Sequence, residues 1–229
     1  MQKKVIVISL GGSLIIPERI DVTFLKEFKK IILKNTKKYK FIIVTGGGSV
    51  ARKYINALRE IGINEKLQSM IGISTTRTNA RFMSYFFNQN QTLGIPQKMS
   101  TVEKYIKKSD VVFCGALDYK PNQTSDATAV QIANHFKTIF INLTNVSGLH
   151  DKNPLKHKDA KFIPKISLQD FYKMATKEKY KPGQHFVLDQ TAARIILKHK
   201  IATYILGKNL KNLDNLLNNQ EFRGTIISN

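Results

Sequence analysis

The stretch Phe41-Ile42-Ile43-Val44-Thr45-Gly46-Gly47-Gly48-Ser49-Val50 decides the fold. Phe41 to Val44 form an unbroken apolar run rich in β-branched residues, the pattern of a strand buried on both faces in a parallel sheet. Three glycines end it. Beyond them Val50, Tyr54, Ala57, Leu58 and Ile61 recur at helical spacing, and Gly62 marks the helix end. The same grammar opens the chain: residues 3 to 10 are a near-continuous apolar run, followed by Gly11-Gly12-Ser13. The basic start before Val5-Ile6-Val7-Ile8 has the outline of a secretory signal. Gly11-Gly12-Ser13 interrupts the run, however, and Pro17-Glu18-Arg19 follows with no small-residue cleavage site, so a buried first strand is expected.

Working outward, helices are expected over 22–34, from Gly48 to Gly62, over 65–88 with a break near Gly72, over 125–136, 187–199 and 209–217. Further strands are expected over 111–114, 138–143, 202–206 and 225–227. Residues 150–165, polar and holding Pro154 and Pro164, read as a loop. Strands alternating with helices imply an α/β fold with a largely parallel sheet. No internal repeat, low-complexity segment or linker stands out. If the domain has two lobes, the break belongs near 115–124, around Pro121-Asn122-Gln123.

Composition narrows the function. The 229 residues, 42% hydrophobic, are enough for one large domain or two lobes sharing a core, and exclude general disorder. Lys+Arg 37 against Asp+Glu 16 gives a net charge of +21. Lysines are spread along the whole chain, not gathered in one stripe interleaved with aromatics, so specific nucleic-acid binding is not expected; an anionic substrate would still profit from the field. The single cysteine, Cys114, excludes a disulfide scaffold and fits a reducing, cytoplasmic setting. No apolar run approaches the roughly 20 residues that span a bilayer, so no membrane partner is expected.

The chemistry-bearing residues lie where strands end. Glycine lets backbone N–H groups approach an anion without a Cβ in the way, and a helix N-terminus adds partial positive charge. Two such turns, Leu10-Gly11-Gly12-Ser13 and Thr45-Gly46-Gly47-Gly48-Ser49, suit a donor and an acceptor phosphate held together, although each alone is also an ordinary structural turn; neither matches the P-loop or dinucleotide fingerprint. Arg52, one helical turn further, reads either as a guanidinium for an acceptor phosphate or as a surface arginine. Asp126, in Thr124-Ser125-Asp126-Ala127 at a helix start, reads either as part of a capping motif or as an acid among transferring phosphates. Thr144-Asn145-Val146-Ser147-Gly148 follows a strand, where ligands sit in open parallel sheets.

In this order the segments resemble the amino acid kinase superfamily, and within it the archaeal-type uridylate kinases. They are Gly11 to Leu14, Gly46 to Ile55, Ile71-Gly72-Ile73 with Thr76-Arg77-Thr78-Asn79-Ala80, Thr124 to Ala127, Thr144 to Gly148, Leu188-Asp189 with Ala192 to Ile196, and Gly224 to Ile227. The resemblance runs from Val5 to Ile227. It implies a three-layer α/β/α sandwich on an open, mainly parallel sheet, as one domain with an acceptor lobe over about 1–120 and a nucleotide lobe over about 121–229. It implies phosphoryl transfer from Mg·ATP to UMP and a homo-oligomer, a hexamer built from dimers. By family pattern Ser9, Leu10, Gly11, Gly12 and Ser13 wrap the ATP phosphates with Gly47 and Arg52, while Thr144, Asn145, His150 and Asn153 hold the ATP base and ribose. Gly46, Ser69, Thr124 and Ser125 meet UMP, and Asp126, with Arg52 and Gly12, forms the reaction centre. Mg²⁺ comes with ATP, and no residue is assigned as a direct metal ligand.

The sequence departs from that pattern at several positions. Ser9 stands where many superfamily members have Lys, Ser69 where an Asp grips the acceptor ribose, Ser147 for Asp, His150 for Tyr and Asn153 for Asp; the loop 116–123 is longer by a couple of residues. Two rivals therefore stay open. One is a superfamily kinase for another small phosphate such as isopentenyl phosphate, against which stands the lack of a histidine beside Gly48 or Ser49. The other is a non-catalytic nucleotide-binding or nucleic-acid-binding protein, which a steep salt dependence of nucleic-acid binding would reveal.

Overall fold

The computed structural model describes residues 3–89, 94–119, 124–154, 157–177 and 187–229. The apolar runs form the centre of a seven-stranded sheet. These are β1 (Lys4–Leu10), β2 (Tyr39–Thr45), β3 (Val111–Cys114), β4 (Phe140–Leu143), β7 (Lys165–Ser167), β8 (Thr203–Leu206) and β9 (Thr225–Ser228), in the order β3-β2-β1-β4-β8-β9-β7. The first five strands of that order are mutually parallel. β9 runs antiparallel to β8, and β7 parallel to β9. A two-stranded ribbon, β5 (Leu149–His150) with β6 (Phe162–Ile163), stands apart.

Strand alternation sorts the side chains into two cores. Ile6, Ile8 and Leu10 face the layer of α2 (Val22–Asn35), α4 (Glu65–Phe86) and α9 (Leu210–Leu217). Val7 faces the opposite layer of α5 (Met99–Lys108), α6 (Ser125–His135), α7 (Leu168–Lys177) and α8 (Gln190–His199). Each buried aliphatic contributes about 1.5–3 kcal/mol. α2 shows why these helices form: Asp21 accepts from the Phe24 amide at 3.1 Å as its N-cap, and Phe24, Leu25, Phe28, Ile31 and Ile32 make one buried stripe. The short α1 (Gly12–Ile15) and then α3 (Gly48–Glu60) start directly from the glycine turns. The helix–sheet–helix layering agrees with the sandwich expected.

Four expectations need correction. α4 is continuous through Gly72, because one glycine costs a helix only about 1 kcal/mol, and the missing side chain lets Ile55 of α3 approach. Residues 150–165 are not all loop, since the β5–β6 ribbon and the start of β7 lie there. The expected helix from 187 starts at Gln190, because Asp189 caps it, accepting from the Thr191 and Ala192 amides. The strand expected from 138 begins at Phe140. α1, α5 and α7 had no counterpart in the sequence reading. Pro121-Asn122-Gln123, and with them part of the long 116–123 loop, lie outside the described residues.

Candidate active site

Parity along β1 places the first functional side chain. Val7 and Ser9 point to the same face, the one covered by α6, so the fully buried Ser9 hydroxyl meets the first turn of that helix. It donates to Asp126 Oδ1 at 2.7 Å. Asp126 is half-buried as a residue, with its carboxyl turned inward. Burial, and then the neighbouring Asp189 carboxylate, push its pKa up to about 7, with the Ser9 bond pulling the other way. Asp189 is itself bound: Oδ1 accepts from the Thr191 and Ala192 amides at 2.8 and 3.0 Å, and Oδ2 accepts from the Thr124 hydroxyl. Thr124 also caps α6, accepting from the Ala127 amide at 3.1 Å. Thr124 is thus the cap of α6, while the Asp126 carboxyl turns inward to Ser9.

The two glycine turns lie against each other. A methyl group on Gly12 would fall 2.1 Å from the Gly48 nitrogen and 2.7 Å from the Gly46 carbonyl carbon. One on Gly46 would fall 2.6 Å from the Gly12 nitrogen. Gly48 has φ +66°, which glycine adopts readily and other residues do not. Ser49 Oγ donates to the Ile16 carbonyl at 3.1 Å, tying α3 to the segment after α1. The amides of Gly11 and Gly46 are used for this stitching, bonding to Leu143 O and Leu10 O, and Asn79 donates to Gly46 O at 2.8 Å. Gly46 thus offers an anion no N–H. Further amides stand at the first turns of α1 and α3, where a helix supplies few partners of its own, although that of Leu14 already bonds to Gly11 O at 2.8 Å.

The remaining expected site residues fall on both sides of this contact. Ser13 and Gly47 flank it, half-buried, while Leu10 is buried. Arg52 is exposed on α3. Ser69 is exposed on α4, one and two turns from Gly72 and Thr76, and the latter two both approach Gly47. Across the sheet, Thr144 follows β4 and bonds through its amide to Leu206 O at 2.9 Å and through its hydroxyl to Asn145 at 3.3 Å. His150 sits on the β5–β6 ribbon, its Nδ1 3.1 Å from Gly148 O and its ring against the edge of Phe162, over which Arg223 also lies. Asn153, half-buried, accepts from the His157 amide.

The sequence reading left four residues without a role: Thr76, Arg77, Asn79 and Asp189. A capping pattern before α8 could have flagged Asp189. The α4 residues carry no periodic signal, because they reach out of their helix to loops distant in sequence. Thr45 Oγ1 donates to Thr76 O at 2.8 Å, and Thr76 Oγ1 accepts from the Ala116 amide at 2.9 Å.

This arrangement can hold two anions end to end over an acid at the carboxyl edge of a parallel sheet, the usual ligand position in such sheets. Over residues 4–207 the sequence matches the amino acid kinase family. The chain belongs to that family. It is 36% identical over 215 residues to the uridylate kinase of Thermoplasma volcanium, covering 93% of this chain and 92% of that one. It is 33% identical over 204 residues to the uridylate kinase of Thermococcus kodakarensis, covering 89% and 90%. The crystal structure of uridylate kinase from Archaeoglobus fulgidus superposes with a TM-score of 0.84 at 31% identity, covering 98% of this chain and all of that one.

Proposed function

We propose that the protein is a uridylate kinase, transferring the γ-phosphoryl group of Mg·ATP to UMP to give UDP and ADP. The observation that carries the reading is the backbone contact between the Gly12 and Gly46–Gly48 turns beside the Ser9–Asp126 pair. The family membership and the uridylate kinase relatives support it.

Transfer between two phosphates needs crowded negative charge neutralised and the reacting groups held in line; the acceptor oxygen is already anionic, so no base is required. The first-turn amides of α1 and α3 would supply fixed donors, with Ser13 and Gly47 on the ATP side. Arg52, exposed and free to swing, would meet the acceptor phosphate. Among the described residues no three His, Cys, Asp or Glu side chains cluster as a metal cage. Mg²⁺ would arrive on ATP and take most of its ligands from phosphates and water, with Asp126 as the protein carboxylate beside it. When bound, the ion would neutralise charge on the phosphate oxygens. The acceptor lobe would lie over β2, β3 and α4 within about 1–120, with Ser69, Thr124 and Ser125 at the acceptor. The nucleotide lobe would lie within about 121–229, with Thr144, Asn145, His150 and Asn153 at the ATP base and ribose.

The reading extends to a homo-oligomer. α3 buries one residue, Ala51, toward its own chain, while Tyr54, Ile61, Leu67 and Met70 of the α3–α4 hairpin stand exposed, Ile61 at 72%. Apolar side chains grouped in this way suit a second copy. No helix among the described residues is long and apolar enough to cross a membrane, and a cytoplasmic kinase is the setting proposed.

The test is ADP release from Mg·ATP with UMP, CMP, other nucleoside monophosphates and isopentenyl phosphate as acceptors. UMP is expected to lead. A faster reaction with isopentenyl phosphate, or no acceptor-dependent ADP, would sink the reading.

A further inference from the structure

After β3 the chain leaves the sheet at Gly115-Ala116-Leu117-Asp118 beside the Gly46 turn, with Gly115 pressed on α4 so closely that a methyl group there would lie 2.5 Å from Thr76 Oγ1. This loop has no strand neighbour to satisfy its backbone. α4 does so instead. Thr76 takes the Ala116 amide at 2.9 Å. The Arg77 guanidinium donates to Ala116 O at 3.0 Å from Nε and to Leu117 O at 2.6 Å from Nη2, while Nη1 bonds to Gln97 Oε1 at 3.0 Å. Within one turn of Thr76 and Arg77 on the same helix, Asn79 donates to Gly46 O at 2.8 Å. One helix thus fixes both the glycine turn and the loop that borders it. Ala116 and Leu117 are buried, so their carbonyls would lack partners without the arginine.

We infer that Arg77 is a positioning residue for the acceptor side of the site: its planar fork, bonded to three acceptors on two segments, sets where the 115–118 loop stands opposite Gly46. The inference rests on the phosphotransferase reading for its functional consequence. Geometry, not charge alone, is the reason for arginine. A guanidinium presents five donors in a rigid plane, whereas a lysine ammonium carries its donors on a single atom and cannot span two carbonyls and an amide oxygen in that plane. Burial lowers the Arg77 pKa and Asp118 raises it, in keeping with a guanidinium drawn in from solvent beside one exposed acid.

The test uses Arg77→Ala, Arg77→Lys and Gln97→Ala in the full chain, with acceptor and Mg·ATP varied separately and amide hydrogen exchange followed on the free protein. Arg77→Ala is expected to raise the acceptor KM about 10- to 100-fold, with the ATP KM within about twofold and kcat within about fivefold. Exchange over residues 115–118 should quicken about tenfold or more while β1 stays protected. Arg77→Lys should behave like Arg77→Ala. Gln97→Ala, an exposed change that threatens no core, should raise the acceptor KM about two- to fivefold. A lysine variant with the wild-type acceptor KM, an alanine variant that shifts both KM values equally or neither, or unaltered exchange over 115–118 would each overturn the inference. Should β1 protection collapse in Arg77→Ala, the Gln97→Ala acceptor KM decides, and no rise overturns it. Wild-type turnover on the acceptor panel is scored first. If another phosphate replaces UMP, the KM comparison moves to that acceptor. If nothing turns over, the kinase reading falls by itself and the exchange rates alone decide Arg77.

Discussion

The two sides of the candidate site, proposed above as its acceptor and donor sides, are built differently. On the acceptor side, side chains of one long helix reach the carboxyl ends of β2 and β3: Thr76 and Asn79 are buried, and with Arg77 they bond to Ala116, Leu117, Gly46 and Thr45. On the donor side, a short ribbon is anchored from behind. Thr225 Oγ1 takes the Leu149 amide at 2.8 Å and donates to Ile163 O at 2.6 Å. Gly148, at φ +151°, packs where a methyl group would meet Phe162 and Thr225 at 2.7 Å. The polar side chains there bond locally: His150 to Gly148 O and against the Phe162 ring, and Asn145 to the Thr144 hydroxyl. Three of the departures from the family pattern, Ser147, His150 and Asn153, fall in this region. Departures reach the other side as well, at Ser69 of α4 and in the 116–123 loop, so neither frame fixes every side chain around it.

The sharpest break of this comparison is at the seam. Gly12→Ala would push a methyl group into Gly48 backbone that the β2 ladder and α3 hold in place, so the two turns must part. We expect a fall in Tm of about 5 °C or more, since overpacking of this kind costs about 1–3 kcal/mol or above, together with loss of nearly all turnover. Thermal denaturation with a kinase assay checks both; a stable, active Gly12→Ala protein would mean the turns do not act as one unit.

Next in size is the acid. Asp126→Asn keeps an oxygen for the Ser9 hydroxyl and loses the charge. Turnover should fall about 100-fold or more with much smaller changes in either KM. Turnover kept within about threefold would leave Asp126 as a helix-start residue only.

Arg52→Ala sharpens the acceptor side from its open edge. Arg52 is exposed, so Tm should move by less than about 1 °C, as for most surface changes. The acceptor KM should nevertheless rise about tenfold. Equal acceptor affinity in the variant and the parent would remove Arg52 from the site.

The difference between the two sides also explains what the sequence disclosed. The central strands were legible because burial on both faces writes itself as unbroken apolar runs such as Ile6 to Ile8 and Phe41 to Val44. The glycine turns were legible because close backbone approach and a φ of +66° at Gly48 leave few alternatives. α5 escaped notice because it buries only Val102 and Ile106 within a lysine-rich ten residues. The ribbon escaped because its bonds run to Thr225, far along the chain. The roles of Thr76, Arg77 and Asn79 were hidden for the same reason: their partners lie about 30 to 40 positions away, and no local period records such a bond. Asp126 could be singled out, but the partner that fixes its direction, Ser9, lies 117 positions earlier.

The smallest effect expected concerns the same carboxyl and isolates its environment. An aspartate ordinarily titrates at 3.8; in the fold Asp126 titrates at about 7. Between these values the folded protein holds a proton that the unfolded chain has released, so stability falls as pH rises through that window and levels off above about 7. Asparagine at this position does not ionise. Asp126→Asn and the parent should therefore melt closest together below about pH 4, and the variant should melt higher by several degrees or more at pH 8, with nucleotide and Mg²⁺ absent. A Tm difference that does not change between these pH values would mean that the carboxyl ionises in the fold as it does in water. The acid proposed to serve turnover is thus one whose ionisation the fold resists, a conflict expected where a site is shaped for a charge that arrives with its substrate.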